Sequence, residues 1–282
     1  MKKFFTPFLI LLSGLVLLAG CGGGQQATDN NKEGATGEAD TNVTLIVGAS
    51  PTPHAEILEE VKPLLAEQGI TLDVTEFTDY VIPNQALDSK DLDANFFQHK
   101  PYMDKFNEEH GTKLVAEAIT HFEPLGIYPG KTKSLEDLEN GAHISIPNDP
   151  TNEARALQLL QAQGLITINE DAGLNATTSD VVGNPKNIVF RELEAATIPR
   201  MIDEVDYAVI NGNYAIDAGF TIADALATES ADSLAAETYA NILAVREGED
   251  RDAVKKLAAA LNSPEIKKFI EEKYEGSVVP LF

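Results

Sequence analysis

Beyond its N-terminal segment, the chain alternates short hydrophobic runs typical of β-strands with apolar repeats of three or four positions typical of helices. Residues 43–49 form a β-rich run, residues 57–65 repeat at helical spacing until Gly69 stops them, and residues 71–77 form a second β-rich run. This order predicts a β-α-β unit and therefore a parallel sheet. Pro63 lies inside the helical repeat, where we expect it to kink or split the helix.

The same alternation continues to the C-terminus. Further β-type runs are at residues 93–99, 114–119, 125–128, 143–146, 188–193, 207–210 and 239–246. The clearest helical repeats are at residues 150–163, 195–203 and 251–260. This pattern predicts an α/β architecture, with a candidate crossing point between two sheets near residues 121–124. Because open parallel sheets bind ligands beyond the carboxyl ends of their strands, two facing sheets would enclose a cleft.

The N-terminal segment has the layout of an export signal. A basic start precedes an apolar run over residues 4–19, and the ending LAGC resembles the lipobox of bacterial lipoproteins, whose cysteine is lipidated before cleavage. Residues 1–20 are therefore predicted to be a signal peptide, and residues 21–42 a lipidated Cys21 with a flexible tether that lacks aromatic and branched aliphatic side chains. The alternative is a membrane-spanning signal anchor, but the apolar run contains a proline and is shorter than the roughly 20 residues that cross a bilayer.

The composition is strongly acidic, with 45 Asp and Glu against 21 Lys and Arg and a formal net charge of −24. Nucleic acid is therefore excluded as a partner, since its phosphates would be repelled. The acids are scattered along the chain, as expected for a solvated surface. Cys21 is the single cysteine, so a lipid on it leaves the folded part with neither disulfide nor thiol chemistry.

Catalytic and metal-binding motifs do not stand out. The chain has no H-E-x-x-H, G-x-S-x-G, P-loop or G-x-G-x-x-G, and its five histidines are widely spaced. We therefore predict that the protein is not an enzyme and that it uses neither a metal nor a cofactor.

Several long segments together resemble one known family. They are GASPTPHAEIL (48–58), FTDYVIPNQALD (77–88), LDANFFQHKPYMD (92–104), IPNDPTNEARALQLLQAQGL (146–165), VVGNPKNIVFRELEAATIPR (181–200) and AVINGNYA (208–215). Over almost all of the chain after the tether, the sequence resembles the NlpA/MetQ family of lipoproteins, the substrate-binding components of methionine ABC importers.

The resemblance implies a fold of the periplasmic-binding-protein type, in which two α/β lobes are joined by crossover strands and the ligand binds in the cleft between them. Residues 43–123 plus about 241–282 would form lobe I, and about 124–240 would form lobe II.

The resemblance also implies a function. A receptor anchored by lipid on the extracytoplasmic face of the cell membrane would capture L-methionine and deliver it to an ABC permease and its ATPase. Two alternatives stay open within this class, D-methionine and a methionine-containing dipeptide. A third alternative, from a different class, is an enzyme or a surface lipoprotein without a transport role, because a fold does not dictate a function.

The first helix turn after residue 146 is the segment best suited to bind a carboxylate. Asp149 is a suitable N-cap and Pro150 a suitable first helical residue, so Asn152 and Arg155 lie on one face near the helix start. The planar guanidinium of Arg155 can donate two parallel hydrogen bonds to a carboxylate. The alternative is an exposed arginine paired with Glu153 or another acid; the resemblance favours the ligand.

The run at residues 93–99 supplies the candidate aromatic wall. A period of two places Asn95, Phe97 and His99 on one face and Phe96 and Gln98 on the other. The resemblance points to Phe97 and His99 as cleft residues, with Phe96 as a lesser candidate. A ring is a suitable contact for a thioether.

Four further residues complete the candidate site. The resemblance adds Tyr80, a second ring with a hydroxyl group, and Asn211, which follows the strand at 207–210 and would accept a hydrogen bond from the α-amino group. Asn213 and His54 are lesser candidates, and for His99 a purely structural role is nearly as well supported as ligand contact.

The lipobox gives the first testable prediction. Cys21→Ser removes the sulfur that accepts the lipid, so we expect the variant to stay unprocessed or to lose acylation and membrane attachment. Mass spectrometry of the mature N-terminus and membrane fractionation measure both effects. Mature wild-type protein cut at another position, with an unmodified Cys21 still present, would contradict the prediction.

Overall fold

The computed structural model describes residues 43–282, which are organised around two five-stranded sheets. The predicted signal peptide, the lipidated Cys21 and the tether lie outside the described residues. The strands are β1 Val43–Ala49, β2 Ile70–Glu76, β3 Ala94–His99, β4 Leu114–Ile119, β5 His121–Phe122, β6 Gly126–Pro129, β7 His143–Pro147, β8 Thr167–Ile168, β9 Val181–Gly183, β10 Val189–Leu193, β11 Tyr207–Ile210, β12 Ala227–Thr228, β13 Asn241–Arg246 and β14 Val279–Pro280.

The helices fall between most of these strands. The α-helices are α1 Glu56–Ala66, α2 Ile82–Asp88, α3 Lys100–His110, α4 Pro150–Ala162, α5 Gly212–Asp217, α6 Leu234–Thr238, α7 Asp252–Leu261 and α8 Pro264–Tyr274. A π-helical turn lies at Pro51–Ala55, and 3-10 helices lie at Leu135–Asp137, Glu170–Asn175, Thr178–Asp180, Ala195–Glu204 and Ile222–Asp224.

The first sheet has the strand order β2-β1-β3-β13-β4. As predicted, β1 is parallel to β2, and it is also parallel to β3. The sheet is not wholly parallel, however, because β13 is antiparallel to both β3 and β4. Adjacent parallel strands of one sheet must be joined by a long crossover connection. The chain returns to β13 from the second sheet instead, so no such connection sets the direction of β13. Helices α1, α7 and α8 pack on this sheet and contribute the buried side chains of Leu58, Leu257 and Ile270, respectively, to its core.

Two predicted helices need correction. Pro63 does not split α1, which is one helix over Glu56–Ala66. The amide missing at Pro63 would have bonded the carbonyl of Glu59, an exposed residue in the first turn of the helix, so the loss is tolerated. The repeat at 195–203 is a 3-10 helix, Ala195–Glu204, with Pro199 inside it, because a proline in the interior removes an α-helical hydrogen bond.

The second sheet has the strand order β10-β7-β11-β6-β12. Strand β7 is parallel to both of its neighbours, β10 and β11, and β6 is antiparallel to β11. Helix α4 covers one face, where Leu157 and Leu160 are fully buried against Ile144 and Ile146. The fold is therefore α/β with two lobes, as predicted.

The chain passes between the two sheets twice. Strands of the first sheet come from residues 43–119 and 241–246, and those of the second from residues 126–228. The crossover near residues 121–124 pairs β5 with β14. The exact residue bounds of the two lobes stay a prediction. Among residues 43–282, none of the helices combines the length and the apolar character needed to cross a membrane.

Candidate functional site

A cavity lies where side chains of both lobes meet, and with its mouth it encloses about 340 Å³. Only about 20 Å³ of it is open to the centre of a water molecule, which is room for about one water. The structure brings all six principal candidates and one lesser candidate to the cavity wall: Tyr80, Phe97, His99, Asn152, Arg155, Asn211 and Asn213. Their roles as ligand contacts stay a prediction.

The two other lesser candidates do not line the cavity. Phe96 is fully buried in the core of the first sheet. His54 is also fully buried, but it lies directly behind the wall, with its Nε2 3.1 Å from Oδ1 of the lining residue Asn241. Phe96 contacts the His54 ring edge to face, with 4.7 Å between the ring centroids.

A β-bulge explains why three consecutive residues of β3 reach the cavity. The expected period of two would send Phe97 and His99 to the cavity and Gln98 away from it. Instead, Ile242 pairs with Gln98 and Leu243 with Phe96, so Phe97 is the extra residue of β3. A bulge of this kind breaks the alternation of side chains and redirects them. Phe97, Gln98 and His99 therefore all line the cavity.

The apolar part of the wall is built from aromatic rings. The ring of Tyr80 lies 5.9 Å from that of Phe97, 5.7 Å from that of Tyr102 and 4.9 Å from that of Tyr214, measured between centroids. The Tyr80 hydroxyl donates to Asn213 Oδ1 at 2.5 Å, which joins the two lobes. Such a wall suits an apolar or thioether side chain.

The polar part of the wall is organised around Asn152. Asp149 caps α4, as predicted, and its carboxylate also accepts from Asn152 Nδ2 at 3.0 Å. Asn152 Oδ1 then accepts from Asn211 Nδ2 at 2.8 Å and lies 3.1 Å from His99 Nε2. The predicted helix start therefore holds an amide that links three neighbours.

His99 has a defined neutral form. Its Nδ1 accepts from the backbone N–H of Tyr102 at 3.2 Å and so caps α3. Its Nε2 faces the acceptor Asn152 Oδ1, so Nε2 carries the proton. Burial, reinforced by the charge of Arg155, lowers the pKa of His99 to about 3. His99 therefore caps α3 and also lines the cavity.

Asn211 presents an acceptor with no partner. Its Nδ2 is used by Asn152, while its Oδ1 is buried and makes no hydrogen bond within residues 43–282. A buried polar atom left unpaired costs free energy unless a ligand or water satisfies it. Because Asn211 lines the cavity, this oxygen suits a donor such as an ammonium group.

Arg155 departs from the expected geometry. It is only 3% exposed, and its Nε and Nη2 donate to the carboxylate of Glu229 at 2.9 and 2.6 Å. Nη2 also donates to the backbone oxygen of Glu123 at 2.8 Å. The two-pronged face that we expected to bind a ligand carboxylate is therefore occupied by Glu229. Nη1 makes no hydrogen bond within the described residues, so it is the remaining donor of this side chain.

His54, His121 and Glu123 form a buried cluster. Glu123 lines the cavity, and the two histidines lie behind it. Glu123 Oε1 is 2.8 Å from His121 Nε2 and 3.2 Å from His54 Nε2. These three atoms lie within 4.8 Å of one another, a spacing that a metal ion could use. They are however spaced as hydrogen-bond partners, and His54 Nδ1 lacks the acceptor that normally orients a metal-bound histidine.

Sequence reasoning missed five lining residues: Gln98, Tyr102, Glu123, Gly212 and Asn241. Asn241 begins β13 and pairs with His99 at the end of β3. Since β13 is antiparallel to β3, its first residue lies at the carboxyl edge of the sheet, where a parallel strand would place its last. Glu229, the partner of Arg155, carried no local signal because it lies 74 residues further along the chain.

Two α/β lobes that are joined by crossover segments and enclose a polar and aromatic cavity define a binding protein of the periplasmic-binding-protein type. A family model described as NlpA lipoprotein matches residues 45–282. The chain therefore belongs to the NlpA lipoprotein family. This family consists of substrate-binding proteins, and the chain is not an enzyme.

Individual relatives are similar over nearly the whole chain. The methionine-binding lipoprotein MetQ of Bacillus subtilis (strain 168) is 40% identical, and the match covers 100% of this chain and 99% of the relative. The probable D-methionine-binding lipoprotein MetQ of Pasteurella multocida (strain Pm70) is 38% identical, and the match covers 96% of each chain. A solved structure of a nutrient binding protein from Burkholderia cenocepacia bound to methionine has a TM-score of 0.81 and 46% identity, covering 84% of this chain and 100% of the other.

The buried histidines predict a pH dependence of stability. Burial lowers the pKa of His54 to about 4 and that of His121 to about 3, as it does for His99. In the unfolded chain these histidines titrate near their ordinary pKa of 6.5, so the unfolded chain binds more protons below that pH. The free energy of unfolding should therefore fall as the pH falls from 6.5 towards 4, by up to about 1.4 kcal/mol per pH unit for each histidine.

Denaturant unfolding at pH 7.5, 6.5, 5.5 and 4.5 measures this slope. Burial raises the pKa of Glu123 and of Asp149, which favours the folded state at low pH and makes the net fall smaller. His54→Gln should reduce the slope, and His110→Gln, at an exposed position, is the matched control. A stability that is level or rises between pH 6.5 and 5 would contradict the prediction.

Proposed function

We propose that this protein captures free L-methionine between its lobes and delivers it to an ABC permease driven by an ATPase. We also propose that lipid on Cys21 anchors it to the outer face of the membrane. The names of the Bacillus subtilis relative and of the Burkholderia cenocepacia structure, which include methionine, support the ligand. The LAGC ending of the signal segment supports the anchor.

The observation that carries the proposal is the buried, unpartnered Oδ1 of Asn211 in a cavity that also contains Arg155. An ammonium group would satisfy the Asn211 oxygen, and a carboxylate would accept from Nη1 of Arg155. A zwitterion carries both groups on one carbon atom. The cavity therefore offers complementary partners to the common part of every free amino acid.

The aromatic wall supports methionine among the amino acids. Tyr80, Phe97 and Tyr102 have ring centroids between 5.7 and 6.2 Å apart. A contact between a sulfur atom and an aromatic ring contributes roughly 0.3 to 1.5 kcal/mol.

D-methionine is the second candidate, because the Pasteurella multocida relative is named as a probable D-methionine-binding protein. The two enantiomers share the ammonium, the carboxylate and the thioether and differ in how these reach Asn211, Arg155 and the rings. Calorimetry with each enantiomer separates the two. Tighter binding of a methionine-containing dipeptide would favour the remaining alternative within this class.

Arg155 provides the next prediction. Arg155→Ala leaves the ligand carboxylate and Glu229 buried without a positive partner, so methionine affinity should fall more than a hundredfold, or about 3 kcal/mol. Arg155→Lys should recover only part of the loss, because one ammonium cannot serve both Glu229 and the ligand. Arg200→Ala, at an exposed site, is the control. Calorimetry showing Arg155→Ala within a few-fold of wild type would remove this residue from the site.

Phe97 tests the choice of side chain. Norleucine should bind nearly as well as methionine, whereas alanine loses roughly 80 to 100 Å² of apolar contact, or about 2 to 2.5 kcal/mol, a factor of about fifty. Phe97→Ala should weaken methionine binding strongly and leave weak alanine binding nearly unchanged. Competition of methionine, norleucine, alanine and glycyl-methionine against both proteins measures this. Alanine binding as tightly as methionine would defeat the methionine assignment.

A further inference from the structure

Glu123 is a carboxylate in an unusual place. It lies in the crossover between the two sheets, is 5% exposed and lines the cavity. Removing a carboxylate from water is costly unless hydrogen bonds and an opposite charge replace the water. Burial accordingly raises the pKa of Glu123.

One neutral histidine is hydrogen-bonded to the Glu123 carboxylate, and a second neutral histidine lies beside it. His121 Nε2 lies 2.8 Å and His54 Nε2 lies 3.2 Å from Oε1. His121 Nδ1 is 3.1 Å from the Thr120 hydroxyl, and His54 Nδ1 is buried without a partner among residues 43–282. With the proton on Nε2 of each ring, His121 donates to Glu123 and His54 donates to Asn241 Oδ1 at 3.1 Å. His54 Nδ1 is then an unpaired acceptor, which is less costly to bury than an unpaired N–H donor.

The opposite charge is absent from the protein side. Within residues 43–282, no Lys or Arg nitrogen forms a salt bridge with the Glu123 carboxylate, and the two histidines beside it are neutral. Arg155 touches Glu123 only at the backbone oxygen and is paired with Glu229. A buried carboxylate with donors but no cation is suited to a ligand that brings the cation itself.

Gly212 places this carboxylate beside Asn211. A Cβ added to Gly212 would lie 2.7 Å from Glu123 Cβ and 3.2 Å from Oε2, so only glycine permits this approach. Asn211, with its unpartnered Oδ1, precedes Gly212 at the start of α5. Two acceptors, one of them charged, therefore border the same part of the cavity wall.

We infer that Glu123 is the residue that selects for a free α-ammonium group, and that His121 is the positioning residue that holds its carboxylate towards the ligand. This inference rests on the proposed function and narrows it to amino acids with an unblocked amino group. N-acylated methionine carries neither the positive charge nor enough N–H donors for both Glu123 and Asn211, so it is rejected.

The same arrangement predicts how affinity depends on pH. Five titratable or charged groups lie close enough to interact electrostatically with Glu123: His54, His121, Arg155, Tyr80 and Tyr274. Between pH 5 and 7 both histidines are neutral, the tyrosines are protonated and Arg155 is charged. Burial raises the pKa of Glu123, so Glu123 is the group of this set that we expect to take up a proton first as the pH falls. Below its pKa it must lose a proton to receive the ammonium, and affinity falls by up to about tenfold per pH unit.

The test is calorimetry of methionine and N-acetylmethionine at pH 5, 6, 7 and 8. Wild type should bind methionine, bind N-acetylmethionine at least a hundredfold more weakly, and lose methionine affinity towards pH 5. Glu123→Gln should lower methionine affinity about ten- to hundredfold at pH 7 and flatten the acidic limb. Glu153→Gln, at a buried carboxylate of α4 outside the cavity wall, is the matched control.

The positioning role of His121 has its own measurement. His121→Leu, which has no donor, should move the acidic limb of the affinity profile to higher pH, because the carboxylate loses a hydrogen bond and keeps its proton to a higher pH. A purely structural role would lower the melting temperature without moving that limb.

Several outcomes would overturn the inference. If wild type binds methionine and Glu123→Gln binds it equally at every pH, this inference falls while the proposed function stands. If Glu123→Gln does not fold, equal binding of methionine and N-acetylmethionine by wild type overturns the inference in the same way. Stoichiometric Zn²⁺ binding that competes with methionine would also overturn it, since the same three atoms would be ligands. If wild type binds neither compound, both proposals fall.

Discussion

The buried charge of Arg155 is the constraint on which the cavity depends. A guanidinium withdrawn from water must be paired, and Glu229 pairs with it through two hydrogen bonds while the ring of Tyr239 lies 4.5 Å away. The backbone of Glu123 takes a further donor. Breaking such a pair by removing one partner is far more costly than replacing the whole pair. The arginine is therefore held in one orientation before any ligand arrives, with Nη1 as its remaining donor.

Apart from the carboxylates of Asp149 and Glu123, neutral donors and acceptors surround this ion pair. Asn152 joins Asp149, Asn211 and His99, and the buried histidines stay uncharged. Hydrogen bonds across the cleft, from the Tyr80 hydroxyl to Asn213 and from the Tyr214 hydroxyl to the Thr78 backbone, join the lobes. In a closed site of low dielectric, each polar contact with a ligand is stronger than in water. Opening the lobes exposes these contacts to water, which links closure to ligand retention.

The sequence was sufficient where chemistry is local. The N-cap Asp149 and Pro150 predict the start of α4, and helical spacing then places Asn152 and Arg155 on one face. It was insufficient where long-range pairing decides the geometry. The bulge at Phe97 depends on the register of β13, which lies more than 140 residues further along, and the antiparallel direction of β13 brought Asn241 to the cavity. Glu229 is an ordinary acid in an acidic chain until the fold places it against Arg155.

Mass spectrometry of the small molecules released when the purified protein is denatured tests the central claim most directly. The ligand that we propose is a zwitterion with a thioether side chain, and buried polar atoms without a protein partner, such as Asn211 Oδ1, favour its retention during purification. We predict release of methionine in an amount close to that of the protein. Release of a different compound in equal amount, above all one that lacks a free ammonium or a carboxylate, would contradict this claim.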